Sequence, residues 1–217
     1  MITLGLDAAP GAGTIAVFLG DALLAERTVP MGARAGDLFF PAVLDALRAA
    51  QTRPSLVARV ICGGGPGSFT SLRIAGAVAK GIAEGAGATL LVVPSLALAV
   101  AGDHTLVAGR YLVVSDALRG ECFVQPCERS GAGAVTAEVA ERVPAGAVTE
   151  VARRAGTMVI GFAQARAALP HARGVLALVA GGAALAVDIA TWEPAYGRLA
   201  EAQVVWEATH GRALPAA

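Results

Sequence analysis

The stretch GGGPGSFTSLRIAGAVAKGIA, residues 63–83, joins the end of one apolar run to the start of another through a turn made almost wholly of glycine and proline. The run before it, residues 58–62, is short and mostly apolar, the pattern of a buried strand. After it, Ser68 stands where a helix N-cap belongs. Small and apolar residues then continue at helical spacing to Glu84, where Gly85 and Gly87 supply a stop. The stretch therefore reads as strand, glycine elbow, helix. Free N–H groups at such a helix start can meet an anion. A phosphate-binding P-loop, however, needs Lys followed by Ser or Thr, and Ser68, Phe69 and Thr70 stand there instead. A hydrolase nucleophile elbow needs Gly-x-Ser-x-Gly, and the residue two after Ser68 is Thr70. Ser68 is thus expected to be a cap, and a stand-alone hydrolase or nucleotide-dependent enzyme is the alternative.

Upstream of the elbow, residues 2–7 form an apolar run ending in Asp7, and strand-like runs follow at 14–19 and 22–29 around a Gly20-Asp21 turn. Phe40, Val43, Leu44 and Leu47 then recur at helical spacing, with Asp37 placed as the cap and Pro41 near the first turn. Downstream, residues 90–93 read as a buried strand, and Pro94 with Ser95 opens a short helix. The order over the first hundred or so residues is βββαβαβα. The second half is less regular. It offers strands at 111–115, 121–127 and 158–160, helices at 146–155 and 162–169, and a helix-like tail over 196–210 around Leu199, Val204 and Trp206, ended by Pro215. Two subdomains, 1–102 and 103–217, are expected.

Composition excludes several classes of function. The 217 residues are 55 % apolar, and Lys+Arg and Asp+Glu number 17 each, so no net field gathers nucleic acid or acidic lipid. The apolar stretches 86–102 and 176–190 are interrupted by Pro94 and by Gly181, Gly182 and Asp188, and both fall short of the roughly 20 residues of a membrane span. With no basic leader or cleavage site at the start, a cytoplasmic protein without membrane contact is expected. Three cysteines, Cys62, Cys122 and Cys127, fit small core residues better than a disulfide framework.

The string Gly65-Pro66-Gly67-Ser68-Phe69-Thr70, with Arg73-Ile74 after it, resembles the signature of the TsaB (YeaZ-type) family of threonylcarbamoyladenosine biosynthesis. The resemblance continues at Gly5-Leu6-Asp7, Phe39-Phe40-Pro41, Val93-Pro94-Ser95-Leu96, Ser115-Asp116-Ala117 and Gly120-Glu121. It is thin beyond residue 125, where Glu193-Pro194 and Tyr196-Gly197-Arg198 look like a C-terminal Glu-Pro-Tyr element. It implies an α/β actin-like ATPase (ribonuclease H-like) fold of two subdomains that has lost its own chemistry. The implied role is a partner of the catalytic TsaD and of the ATPase TsaE, with ATP or ADP held only at the joint surface and tRNA reached only through the complex. The departures are Ser71 in place of a usual Gly, Ala8-Ala9 in place of Thr-Ser, and no His near Ala35.

The catalytic relative implied by this resemblance binds metal through a His-x-x-x-His pair, and His104, His171 and His210 cannot form one. No metal site is expected. Asp7 is the one candidate nucleotide contact, since an acid ends the first strand in this fold, but Ala8, Ala9 and Pro10 follow before Gly11, Gly13 and Thr14. Val179-Ala180-Gly181-Gly182 superficially resembles an adenosine-contacting glycine pair, although its apolar surroundings fit a packed helix better.

The helix after the elbow carries the case for a partner. Ala75, Ala79 and Ala83 lie four apart beside Gly76, giving a smooth face, and Arg73 and Lys80 share a polar one. Its other apolar residues point several ways, more than one sheet can cover. A docking face is expected from Phe39, Phe40 and Leu44 on the first helix with Phe69, Leu72, Arg73, Gly76, Ala77 and Lys80 on the second. It would serve the catalytic relative or, when the chain is alone, a homodimer.

Overall fold

The computed structural model describes residues 1–8, 11–32, 35–197, 206 and 209–210. Three strands open the chain, β1 (Ile2–Asp7), β2 (Ala12–Leu19) and β3 (Ala22–Pro30), followed by α1 (Ala35–Ala49), β4 (Val57–Gly63), α2 (Phe69–Ala86), β5 (Thr89–Val93) and α3 (Leu98–Ala101). The βββαβαβα order expected from the sequence is the order observed. The second half contributes β6 (Gly109–Leu118), β7 (Glu121–Arg129), β8 (Val135–Ala137), β9 (Glu141–Pro144), α4 (Val148–Ala155), β10 (Met158–Gly161), α5 (Val175–Ala180) and β11 (Leu185–Ala186).

The first sheet runs β11-β5-β4-β1-β2-β3. β1 pairs antiparallel with β2 and parallel with β4, and β4 pairs parallel with β5. A hairpin meander grafted onto parallel strands with crossover helices is the mixed α/β arrangement of the actin-like ATPase fold. The second sheet runs β10-β6-β7-β8, with β9 on the same edge of β7 as β8 but further along it.

Alternation along each strand puts side chains on both sheet faces, and both faces are covered. Leu4, Leu6, Ile15, Val17, Val60 and Cys62 turn toward α1 and α2, where Phe39, Val43, Leu47, Ala75, Ala79 and Ala83 complete one core. Ala16, Phe18 and Ile61 turn the other way. They join α3, α5 and the inner face of the second sheet, including Tyr111, Val113 and Phe123, in another. Leu112, Val114 and Val124 face outward and are covered by Val148 and Ala152 of α4. Each fully buried Leu or Phe contributes about 2 kcal/mol. Cys62 and Cys127 are buried and Cys122 half-buried, all as free thiols. Burial first, then the nearby Asp7 charge, pushes the Cys62 thiol far up, so it is inert.

The structure corrects several local expectations. Asp37 lies in the first turn of α1, two residues past its start, and Pro41 lies inside the helix, where its missing N–H forgoes a bond to the residue 37 carbonyl. Gly85 is within α2, and Gly87 (φ 62°) makes the left-handed stop. Residues 162–169 form turns and an isolated bridge, Gly161 to Ala167, instead of a helix. The 179–182 run ends α5 at Ala180 and turns through Gly182 (φ 74°), and Gly181 passes so close to β8 that a Cβ there would collide with the Val135 carbonyl. Strands β8, β9 and β11 have no counterpart in the sequence reading. β11 returns to pair antiparallel with β5, so residues 185–186 rejoin the first sheet. Of the expected tail helix, Leu199 and Val204, like Arg198 and Pro215, lie outside the described residues, as do Ala9 and Pro10. Among the described residues no helix is long and apolar enough to cross a membrane.

Candidate functional site

Parallel pairing delivers the end of β4 beside the ends of β1 and β5, and the elbow forms there. The Gly64 N–H donates to the Val93 carbonyl (2.8 Å), and the Gly65 N–H to Ser95 Oγ (2.9 Å). The Ser95 N–H returns a bond to the Gly65 carbonyl (3.0 Å). Gly65 has φ 102°, which only glycine adopts readily, and a Cβ there would also strike the Ala195 carbonyl. The Gly65-Pro66 peptide bond is cis.

Ser68 sits at the N-cap of α2 with extended backbone, but its hydroxyl makes no capping bond. Its Oγ accepts instead from the Ser71 hydroxyl (3.2 Å). The departure at Ser71 thus gives a buried hydroxyl whose partner is Ser68. Thr70 is exposed and Gly67 half-buried.

A strap from the C-terminal region closes over this elbow. The Ala195 N–H donates to the Gly64 carbonyl (2.8 Å), and the Tyr196 ring lies 4.3 Å from the Phe69 ring. The Trp192 ring lies 5.8 Å below Lys80 Nζ, and Trp192 and Pro194 pack on Gly76. Gly197 sits so close to Phe123 and Pro66 that a side chain there would meet both, the nearest ring carbon at 2.7 Å. Tyr196 has its pKa raised, burial outweighing the opposing charge of Arg73.

The residues expected to dock a partner therefore divide into three groups. Phe39 and Leu72 are fully buried and offer no surface; Phe39 packs so closely that a Cβ on Gly13 would meet its ring at 2.6 Å. Phe69, Gly76 and Lys80 lie under or beside the strap, and Arg73 sits 5.3 Å over the Phe69 ring. Phe40 (45 % exposed) and Ala77 line an open apolar groove of about 600 Å³ between α1 and α2, and Leu44 on α1 is half-buried. The small-residue stripe expected at Ala75, Ala79 and Ala83 faces the sheet and is fully buried. The exposed stripe is Ala77, Gly81 and Gly85, also four apart, with Val78 and Ile82 beside it.

Asp7 is fully buried at the end of β1. A Cβ on Gly63 would run into its carboxylate and stand 2.6 Å from Ser95 Oγ, so Gly63 leaves room for this acid. Beyond the elbow, Gly11, Gly67, Ser68, Ser115, Asp116 and Phe162 border a cleft of about 230 Å³. Asp116 Oδ1 there accepts from the Leu118 N–H (2.7 Å) and shapes the β6–β7 turn. Among the described residues no three His, Cys, Asp or Glu side chains gather as metal ligands. His171 Nδ1 accepts from the Arg173 N–H (3.1 Å), a local capping role, and His210 Nδ1 lies 2.8 Å from the Trp206 carbonyl. Sequence reasoning missed Trp192 and Gln125. The first belongs to an irregular segment, and the second is a polar residue on the buried face of β7, where alternation alone predicts an apolar one.

Two solved structures from Pseudomonas aeruginosa share the fold. One is YeaZ (TM-score 0.72, 22 % identity, covering 90 % of this chain and 99 % of that one). The other is an uncharacterized protein described as similar to peptidase YeaZ (TM-score 0.75, 23 % identity, covering 91 % and 99 %). No curated protein sequence matches the chain. The profile of TsaD, tRNA N6-adenosine threonylcarbamoyltransferase, matches residues 37–186. With more than half of its length matched, from the first turn of α1 to the end of β11, the chain belongs to the TsaD family of tRNA N6-adenosine threonylcarbamoyltransferases.

Proposed function

We propose that this chain is the TsaB-type, non-catalytic member of a complex that forms N6-threonylcarbamoyladenosine on tRNA. It supports a catalytic TsaD-type subunit and works with a TsaE-type ATPase. The observation that carries this reading is the state of the signature elbow: the Gly64 and Gly65 N–H groups donate to the Val93 carbonyl and Ser95 Oγ, the Gly64 carbonyl accepts from the strap residue Ala195, and Ser68 Oγ accepts from Ser71. A loop closed in this way is a structural element that shapes α2, not a cradle for a reacting group. Ser68 has a serine as its neighbour, and a base is needed to activate a nucleophile.

The metal-binding His-x-x-x-His pair of the catalytic relative has no fitting residues here, because His104, His171 and His210 lie apart in sequence and His171 is engaged in a local cap. The buried Asp7 lies behind Gly63, a position suited to holding the elbow, and no nucleotide of its own is assigned to the chain. ATP or ADP belongs to the joint surface with its partners. The α1–α2 groove supplies the docking face. Phe40 is an exposed aromatic anchor, and the Ala77, Gly81 and Gly85 stripe lets a partner helix approach closely. The same groove serves self-pairing when the chain is alone, tRNA is reached only through the complex, and the setting is the cytoplasm.

Reconstitution tests this reading. The purified chain, a TsaD-type subunit and a TsaE-type ATPase are mixed with tRNA and substrates, and modified adenosine is measured with and without the chain. Formation that depends on the chain is expected, together with no turnover of ATP or esters by the chain alone. Enzymic turnover by the isolated chain would overturn the proposal.

A further inference from the structure

The strap over residues 191–197 lies on the protein without joining either sheet. Exposure alternates along it: Thr191, Glu193, Ala195 and Gly197 are exposed, whereas Trp192, Pro194 and Tyr196 between them are half-buried. Such alternation marks an extended segment laid against a surface. None of these residues is fully buried, in contrast to Leu72 of α2 beneath.

The strap is held at a few points. Among the described residues, one main-chain hydrogen bond ties 191–197 to the elbow, from the Ala195 N–H to the Gly64 carbonyl (2.8 Å). The other contacts are the Tyr196 ring on Phe69, Lys80 Nζ over the Trp192 ring, Trp192 and Pro194 on Gly76, and Gly197 against Phe123 and Pro66. At its start the strap carries its own turn. Asp188 Oδ1 accepts from both the Thr191 N–H and the Thr191 hydroxyl (2.9 Å each), and the Asp188 carbonyl accepts from the Trp192 N–H (3.0 Å). These bonds stay within 188–192 and survive when the segment beyond them lifts. A segment with few buried contacts and few hydrogen bonds to its surroundings opens at a free energy well below that of the packed cores.

Tyr196 covers the Phe69 ring at the start of α2, and Ala195 and Gly197 wall a cavity of about 590 Å³ that Gly64, Gly65 and Pro66 border on the β5 side of the elbow. We propose that residues 192–197 are a latch, which opens and closes as a unit while both cores stay folded. Opening uncovers Phe69 and removes one wall of this cavity. The inference stands apart from the partner reading, since no residue of the α1–α2 groove is part of the latch.

Native-state hydrogen exchange of the full chain tests it. In wild type the Ala195 N–H is expected to exchange at least about a hundredfold faster than amides at the centres of β1 and β4, at a rate that ignores urea below the unfolding transition, because a local opening exposes little surface. Trp192→Ala is expected to speed exchange at Ala195 about tenfold, although residue 192 makes no part of the Ala195–Gly64 bond, and Tyr196→Ala is expected to do the same, since either loss weakens the whole latch. Exchange of Ala195 together with the β1 and β4 amides, on one urea-dependent course, would show that the strap opens only with the entire chain and would overturn the proposal. So would an Ala195 rate unmoved by Trp192→Ala, which would show that the parts of the strap come away separately. The wild-type urea series decides the first point even if a variant does not fold.

Discussion

The Trp192 indole packs against Gly76 of α2, 3.4 Å from the point where a Cβ would stand, and Pro194 lies at the same 3.4 Å. This contact fastens the strap to the helix. It also sets how large residue 76 can become: one methyl group reaches ordinary van der Waals contact, and a longer side chain must displace the strap.

Gly76→Ala is therefore expected to stabilise the protein by about 0.5–1 kcal/mol, since alanine removes the entropic cost of glycine inside a helix. Gly76→Leu is expected to destabilise by about 1–3 kcal/mol through overpacking. Urea titration of both variants measures the pair. A loss of stability in Gly76→Ala would show that the strap tolerates no added methyl.

The same helix shows how far the sequence was legible. The elbow, its flanking strand and the extent of α2 follow from local signals, namely the glycine run, the apolar periodicity and the glycine stop. What local signals do not carry is which face of α2 the rest of the chain covers. Ala75, Ala79 and Ala83 resemble Ala77, Gly81 and Gly85 in size, and only the sheet on one side and the strap on another distinguish them. Phe39 and Phe40 are adjacent and chemically identical, yet one is fully buried and the other 45 % exposed, because α1 turns about 100° between them. Strands β8, β9 and β11 are two to four residues long and owe their existence to a pairing partner, so period-2 patterning has too few residues to register. Gln125 was invisible for the opposite reason: strand patterning was strong, and a polar residue on its buried face reads as an exception until its partner, the Glu138 carbonyl, is seen.

Gly63 is expected to be intolerant of any side chain. A Cβ there meets the Asp7 carboxylate and stands 2.6 Å from Ser95 Oγ, both fixed and buried. Gly63→Ala is expected to cost about 3 kcal/mol, the upper part of the usual overpacking range. In an Asp7→Gly background the same substitution is expected to cost less, because one of the two obstructing groups is gone. A double-mutant cycle by chemical denaturation measures the coupling, and additive effects would refute the steric explanation.

His171 predicts a pH dependence. Its pKa is lowered from the ordinary 6.5 first by burial and then by the Arg173 and His104 charges, with Glu26 opposing. Its Nδ1 accepts from the Arg173 N–H and needs to be unprotonated to do so. The folded chain therefore binds this proton less readily than the unfolded chain. The stabilising contribution is fully present above about pH 6.5 and is lost as pH falls from there through the folded-state pKa. Asparagine can supply the same acceptor without titrating. His171→Asn is expected to match wild type at pH 8 and to lose less stability than wild type as pH falls below 6.5, measured by urea denaturation at a series of pH values. Parallel curves for the two proteins would exclude His171 as the titrating group.

Ala77 separates docking from folding. It is exposed on α2 and lines the α1–α2 groove beside Gly81, so glutamate there meets solvent in the isolated chain and leaves both cores intact. In the proposed complex the same carboxylate would lie against a partner's apolar face, where burying an unpaired charge is strongly unfavourable. Ala77→Glu is accordingly expected to change stability by no more than about 0.5 kcal/mol, as for an ordinary surface substitution. It is expected to weaken binding to the TsaD-type subunit by about a hundredfold, roughly 3 kcal/mol. Self-association, followed by light scattering after size exclusion, is expected to fall in parallel, since the proposal assigns both partners to one face. Arg73→Glu serves as the control, since it alters charge on the side of α2 beside Phe69 and Tyr196. Loss of binding in Arg73→Glu with full retention in Ala77→Glu would place the partner on the strap side of the helix instead of in the groove.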